Sequence, residues 1–283
     1  MNSIAGIVCL FFFSQAVGQR KMMKRLALIC TFAASSCYGL YNGNPSLPEL
    51  PEDGFFIPKE CWLGLKVGYL GDYVLSKSMI VHSKDSDASH EISSYSSFMN
   101  SGTFSFDFGN RAEFYGVVGG YQMKVTQKLQ RDNRVHFQSD QHVAWMAGFR
   151  AIAAYWGDTY LGADVKGFLC HPTVDKISLN DISMDHHLAK ISDRQWQIGA
   201  SVSHKVSMFV PYIGVTYNHT RVKLSNLSSL RHLVPTKTIR LKNKYSFGFV
   251  FGFGLTAETG FACNLEARLI EESAVTASAD FRF

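Results

Sequence analysis

The last eleven residues, SAVTASADFRF (Ser273–Phe283), decide the fold of this chain. At a period of two, one face of an extended strand carries Val275, Ala277, Ala279, Phe281 and Phe283, and the other carries Thr276, Ser278, Asp280 and Arg282. A strand that is apolar on one side, polar on the other and aromatic at its end suits a barrel wall in a bilayer, with lipid on the first side and a lumen on the second. An edge strand of a soluble sandwich alternates in the same way, so the rest of the chain must decide between the two.

The composition allows one large domain or two small ones and gives no sign of a nucleic-acid partner. The chain has 283 residues, of which 46% are hydrophobic. Four of its 28 basic residues fall within the first 39 positions, which hold no acid, so 24 basic residues face 23 acidic ones in the remainder. This near-neutral remainder has no basic run with interleaved aromatic residues, which argues against nucleic-acid binding.

The N-terminal region, residues 1–39, is predicted to be a cleaved signal peptide. Lys24 and Arg25 precede a short apolar run and then small residues that end at Gly39, the expected cleavage position. Residues 1–21 hold a second apolar run, which we interpret either as a mis-called extension of the gene or as the first part of one long signal or anchor. Residues 40–60 are rich in turn-forming residues and predict a periplasmic arm or plug that is not part of the wall.

Residues 61–283 continue the alternation and predict an all-β, transmembrane antiparallel β-barrel. Ten strands can be counted directly, and a further pair within 173–181 and 236–242 would bring the number to about twelve, with roughly ten to fourteen allowed. The apolar face of each strand is expected to meet lipid; such faces include Leu63, Leu65 and Val67; Phe104, Phe106 and Phe108; Tyr115, Val117 and Tyr121; and Phe247, Phe249 and Phe251.

The lengths of the connections favour a barrel over a soluble sandwich. Tight links at Gly109-Asn110, Gly157-Asp158, 206–208 and Thr259-Gly260 alternate with long polar links at 76–101, 127–141, 170–193 and 224–243. One further tight link, at 271–273, is expected on the long-loop side. Short periplasmic turns and longer outer loops are typical of outer-membrane barrels.

Charged residues on the polar faces are predicted to line the lumen, because a charge that faces lipid costs a few kcal/mol near the midplane. These candidates are Lys66, Asp72, Asp107, Arg150, Asp164, Lys166, Glu266, Arg268, Asp280 and Arg282. Opposed charges in an open lumen would filter solutes. Alternatively, the charges pair across strands and fill a narrow lumen, since small barrels leave little free bore.

No catalytic, cofactor or metal motif is recognisable, so neither an enzyme nor a cofactor is expected. Asp185-His186-His187 lies in a predicted loop without further ligands at metal-site spacing. After the leader, the cysteines are Cys61, Cys170 and Cys263, and this odd number leaves open one disulfide, a free thiol or a bond to another chain.

Four motifs, in order, are similar to the family of chlamydial major outer membrane proteins. They are Gly43-Asn44-Pro45-Ser46-Leu47-Pro48; Gly71-Asp72-Tyr73-Val74; Trp196-Gln197 with Pro211-Tyr212-Ile213-Gly214-Val215; and Leu269-Ile270-Glu271-Glu272 with Phe281-Arg282-Phe283. The likeness is scattered in the first strand and nearly continuous from about Arg194 onward. This chain is shorter than the members of that family and poorer in cysteine.

The resemblance implies a porin of the bacterial outer membrane, a homotrimer, that passes small polar solutes and ions. From the barrel class we also expect contact with outer-membrane lipid and with the barrel-assembly machinery, for which Phe281 and Phe283 would be the C-terminal signal. The alternative is a closed barrel that serves as a structural or adhesive surface protein through its long loops.

Overall fold

The computed structural model describes residues 40–50, 53–57, 61–81, 92–128, 133–180, 182–184, 189–227, 238–257 and 260–283. The predicted signal peptide, residues 1–39, and the Asp185-His186-His187 motif lie outside these ranges. The described residues form fifteen β-strands: β1 (Leu63–Lys77), β2 (Met79–Val81), β3 (Ile92–Phe108), β4 (Ala112–Lys128), β5 (Arg134–Ser139), β6 (His142–Trp156), β7 (Thr159–Cys170), β8 (Val174–Leu179), β9 (Ile182–Met184), β10 (Lys190–His204), β11 (Phe209–Ser225), β12 (Thr238–Asn243), β13 (Phe247–Thr256), β14 (Phe261–Leu269) and β15 (Glu272–Arg282).

Ten of these strands close into a ring in which every neighbouring pair is antiparallel. The order around the wall is β1, β3, β4, β6, β7, β10, β11, β13, β14 and β15, and β15 pairs with β1 to close it. The closed antiparallel barrel is therefore confirmed. The expected number of about twelve wall strands is not matched, since the ring has the ten that could be counted directly.

The other five strands extend the wall beyond the ring. The segments that were expected to add a wall pair do form strands, β8 and β12, but these pair above the barrel. β5 pairs antiparallel with the outer end of β4, β8 pairs with β5, and β9 pairs with β8. β12 pairs antiparallel with the outer end of β11, and β2 pairs with β12. The 17-residue strands β3, β4 and β11 span more than 50 Å at about 3.3 Å per residue, which exceeds the hydrocarbon thickness.

The two rims differ in their connections as the sequence predicted. The short-loop rim carries the turns at 109–111, 157–158 and 205–208, the short link between β13 and β14, and the C-terminus. The long-loop rim carries the segments that contain β2, β5, β8, β9 and β12, and the tight link at Ile270-Glu271. Positive φ angles at Gly109, Asn110 and Gly157 fit the tight turns of the first rim.

The outward face of the wall is apolar over most of its circumference. Exposed side chains there include Val67, Tyr69, Phe104, Phe149, Ile198, Val215, Phe249 and Phe251, each more than one-third accessible. Polar partners on the same strands, such as Ser105 and Thr216, are buried inside. This inverted pattern, with apolar groups outside and polar groups inside, is the arrangement that a lipid surround favours.

Strand β4 departs from that expectation. Its apolar residues Tyr115, Val117 and Tyr121 face the lumen, where each is nearly inaccessible, whereas Phe114 on the opposite parity is exposed. The register explains the reversal, because Glu113 pairs with Asp107 of β3 and with Arg150 of β6, which both point inward. The lipid-facing assignment of this apolar face was therefore wrong: a lumen charge fixes the parity of the strand.

No helix among the described residues is long and apolar enough to cross a membrane.

Candidate functional site in the barrel lumen

Residues 40–50 occupy the lumen, and we call this segment the plug. Leu40, Asn42, Asn44, Ser46 and Leu47 are each at most 4% accessible. Residues 45–49 form a tight turn, with Leu50 N donating to Ser46 O at 3.1 Å. This part of the segment 40–60, which the sequence predicts to be an arm or plug and not wall, thus lies inside the barrel.

The chain reaches the plug from the short-loop rim. Gly260 N donates to Asp53 O at 2.7 Å, and Phe55 N donates to Arg282 O at 3.1 Å. The ring of Phe56 stacks on Phe283 with 6.4 Å between centroids. Residues 53–57 therefore dock on the rim beside the C-terminus, and the plug rises from there into the barrel.

The wall holds the plug mainly through charged side chains that bind its backbone. Asn42 N and Gly43 N each donate to the Glu266 carboxylate at 2.7 Å. Arg150 Nη2 donates to Asn42 O at 3.3 Å, Lys166 Nζ donates to Tyr41 O, and Lys66 Nζ donates to Leu47 O. Four of the ten predicted lumen charges thus contact the plug directly.

Glycines of the wall make room for the plug. A Cβ on Gly199 of β10 would overlap the Asn42 side chain, and one on Gly162 of β7 would lie 2.7 Å from Pro45 Cβ. A Cβ on Gly254 of β13 would lie 2.9 Å from Asn44 Nδ2. Three separate strands therefore carry glycine where the plug passes, which fits close backbone approach.

A first ionic cluster lies beside the plug. Arg150 binds Glu113 at 3.0 Å and Asp164 at 3.5 Å, and Lys166 binds Asp164 at 2.8 Å. The guanidinium also lies 5.0 Å from the ring centroid of Tyr115, whose hydroxyl donates to Asp164 at 2.7 Å. Each charge of the cluster therefore has an opposite partner, which offsets part of the cost of burying it.

A second ionic cluster is centred on Arg268. Its guanidinium contacts Asp72 at 2.8 Å, Glu272 at 2.9 Å and Glu266 at 3.1 Å. Lys77 extends the cluster to the long-loop rim, with Glu272 at 3.0 Å and Glu271 at 3.4 Å. Glu266 belongs to this cluster and also binds the plug backbone, so it links the second cluster to the plug.

The remaining candidates lie nearer the short-loop rim. Lys66 pairs with Asp107 at 3.0 Å, and Arg282 donates to Asn110 Oδ1 at 2.5 Å. Asp280 is only partly buried and accepts a hydrogen bond from Thr103 at 3.2 Å. All ten candidates therefore point into the lumen, and the structure joins them through strand pairs rather than leaving them around an open bore.

Above the ionic clusters, apolar side chains close the lumen toward the long-loop rim. This apolar layer includes Tyr95, Met99, Met123, Phe137, Phe168, Ile177, Leu224 and Leu241, each at most 5% accessible, and Leu40 of the plug packs against it. Between the plug and the layer lies a cavity of about 20 Å³, lined by Leu40, Asp72, Lys77 and Tyr95 among others. That volume fits about one water molecule, so the described residues leave no wide bore between the plug and this layer.

Sequence reasoning missed Glu113, Lys77 and Glu272, which complete the ionic clusters, and the plug backbone, which supplies uncharged partners. Glu113 could have been found from the hairpin at Gly109-Asn110, because that turn places it opposite Asp107. No local signal reveals that Tyr41 and Asn42 reach Arg150, since the contact spans more than a hundred residues.

Cys61 and Cys170 are not joined by a disulfide: both are free thiols, and they lie near opposite rims of the barrel. A disulfide requires Cα atoms about 4.4–6.8 Å apart, so the barrel height excludes this pairing. Cys263 lies half-buried on β14.

Among the described residues, no group of three or more His, Cys, Asp or Glu side chains could hold a metal ion. Phe281 and Phe283 lie at the short-loop rim, and their role in assembly stays a prediction.

A closed antiparallel ring with lipid-compatible outer faces, a charged lumen and loops sorted between two rims defines an outer-membrane β-barrel. The comparisons agree with this class, and they confirm the resemblance to the chlamydial major outer membrane porins. A major outer membrane porin of Chlamydia pneumoniae is 21% identical over 389 aligned positions, which cover 93% of this chain and 100% of the relative. Those of Chlamydia muridarum and of Chlamydia trachomatis serovar D are each 20% identical with the same coverage.

The relatives are longer than this chain, because the aligned length of 389 positions exceeds its 283 residues. No family model matches the chain.

Solved outer-membrane barrels resemble the chain only loosely. The outer membrane protease OmpT from Escherichia coli gives a TM-score of 0.41 at 10% identity, covering 78% of this chain and 96% of that one. The outer membrane protein OprG from Pseudomonas aeruginosa gives 0.38 at 8% identity, covering 78% and 95%. Neither likeness is close enough to support a statement about function.

Proposed function

We propose that this protein is a porin-type channel for the passive diffusion of small polar solutes and ions, which its own plug closes. One observation carries the proposal: a single short segment fills the charged zone of the lumen and is held by polar contacts that water could replace. The names of the relatives, major outer membrane porins, support the same direction.

The chemistry of the plug suits a reversible closure. Asn42, Asn44 and Ser46 point polar side chains into the lumen, whereas a permanent filling would be expected to be apolar. Among the described residues, both amide atoms of Asn42 and the Nε2 of Gln197 have no hydrogen-bond partner. A buried polar group without a partner costs about 1–3 kcal/mol, so hydration of an emptied lumen would offset part of the lost contacts.

The proposal is tested by planar-bilayer conductance of refolded mature protein and of a variant that lacks residues 40–50. We expect the mature protein with its plug to open rarely and the variant without residues 40–50 to give sustained ohmic steps. In the open variant, Arg150→Glu or Arg268→Glu should shift the ion preference toward cations, because each reversal makes the lumen more negative. A folded variant that never conducts would contradict the proposal.

The apolar layer favours a second candidate, a closed barrel that acts as a structural or adhesive surface protein through its long loops. With the plug removed, Phe137, Phe168 and Leu224 would still obstruct the lumen unless this layer also moves. The same conductance measurement separates the two functions, since a structural barrel stays silent with or without residues 40–50.

A further inference from the structure

A patch of basic residues covers the outward face of the wall just above its apolar belt. We call Arg194, Arg221, Lys223, Arg240 and Lys242 the basic patch. Arg194 of β10 lies directly opposite Arg221 of β11, and Arg221 lies opposite Lys242 of β12. One register step higher, Lys223 lies opposite Arg240.

This arrangement is unfavourable for the protein alone. Side chains directly opposite on antiparallel strands have Cβ atoms about 4.5–5.5 Å apart, and like charges there are destabilising. Within the described part of β10, β11 and β12, the outward positions hold no carboxylate, and no ion pair is formed by the patch. A partner that brings negative charge would remove the repulsion.

The height of the patch identifies where that charge would come from. Trp196, Tyr217 and Phe247 form an aromatic row below it, with ring centroids 5.5 Å and 5.1 Å apart. His219 lies between Arg221 and Tyr217 and accepts a hydrogen bond from Arg221 Nε at 2.9 Å. Beside and below the row, the apolar side chains of Ile198, Val215 and Phe249 are exposed on the outward face. Because aromatic girdles mark the interface of the bilayer, the patch lies at the depth of the head groups on the long-loop side.

We infer that the basic patch binds the phosphorylated head group of an outer-leaflet lipid. Arg194 and Arg221 would hold one phosphate by paired N–H donors, and Lys242 would contribute a point charge to the same group or a second one. Lys223 and Arg240 lie further from the bilayer and would contact negative charge of the head group at that height. The acyl chains would lie on the apolar face below the aromatic row, so one lipid satisfies both surfaces.

The inference is tested with native mass spectrometry of the folded protein in detergent, titrated with diphosphorylated lipid A. The triple variant Arg194→Gln, Arg221→Gln, Lys242→Gln should weaken binding about tenfold or more, since each basic group near a charged lipid surface contributes about 1 kcal/mol. The matched control is the triple variant Lys124→Gln, Arg134→Gln, Lys176→Gln, which removes the same charge from β4, β5 and β8. In this part of the sheet Gln138 lies between Lys124 and Lys176, so these two basic residues are not directly opposite each other.

Binding that stays within about twofold in the control and falls in the patch variant supports the inference. Equal loss in both variants would overturn it, because only general electrostatic attraction would then be acting. Competition by inorganic phosphate as effective as that by lipid A would also overturn it, because the acyl chains would contribute nothing. A folded patch variant should gain thermal stability in lipid-free detergent, which distinguishes lost binding from misfolding.

Discussion

At the residue scale, the closest fit between plug and wall is at Gly199. Valine there would overlap the Asn42 side chain, so the plug must shift or the strand must bend. We expect Gly199→Val to lower the free energy of unfolding by about 1–3 kcal/mol, as overpacking does, and to raise the frequency of channel opening. Thermal unfolding in detergent and bilayer conductance measure the two effects.

The control for this substitution is Gly167→Val. A Cβ on Gly167 of β7 meets nothing within 4 Å, so valine should be tolerated there. If both variants were as stable and as silent as the parent chain, Gly199 would not be needed to seat the plug.

Glu271 gives the barrel a predicted pH dependence. It lies in the tight link between β14 and β15, outside the strands, and burial raises its pKa to about 7 despite the neighbouring Lys77. Because the folded state binds this proton more tightly than the unfolded state, stability should fall as pH rises from about 4.5 to about 7. We expect Glu271→Gln to flatten this fall, which amounts to about 1–3 kcal/mol, in denaturant unfolding at pH 5 and pH 8. An unchanged pH profile in the variant would contradict the assignment.

At the element scale, the alternation of side chains predicted most of the wall. Strands such as β3 and β13 carry apolar rings on one parity and small or polar residues on the other, and hydrocarbon outside the barrel requires that pattern. β4 was assigned the wrong way round because both of its faces are apolar over much of their length. Only its pairing with β3 and β6 shows that Glu113 points inward.

The extensions could not be separated from the wall by periodicity. β8 and β12 alternate like wall strands, but neither enters the ring. β12 pairs at the outer end of β11, and β8 pairs with β5, which itself pairs at the outer end of β4. Pairing partners depend on contacts that are distant in sequence, so a local pattern predicts that a strand exists without placing it. The plug had no periodic signal at all, and its position follows from backbone contacts to Glu266 and Arg150.

At the scale of the whole molecule, the lumen is closed in successive layers. Residues 53–57 dock on the short-loop rim, the plug and the two ionic clusters fill the middle, and the apolar layer closes the outer end. The ten lumen charges were predicted as a set from parity alone, whereas their pairing could not be, because it depends on strand order. The homotrimer that the resemblance implies stays a prediction.

A designed disulfide between the plug and the wall tests whether the plug is seated in the lumen. Ser46 Oγ and Ser203 Oγ lie 2.9 Å apart, so Ser46→Cys with Ser203→Cys should cross-link in a chain whose Cys61, Cys170 and Cys263 are replaced by serine. Ser46→Cys with Ser105→Cys on β3 is the control, because Ser105 also faces the lumen but shows no contact with Ser46.

The measurement is non-reducing mass spectrometry of the oxidised protein isolated from outer membranes. We expect a bond between positions 46 and 203 in nearly all molecules and none between positions 46 and 105. Absence of the 46–203 bond, or equal cross-linking in both variants, would contradict a plug seated in the lumen.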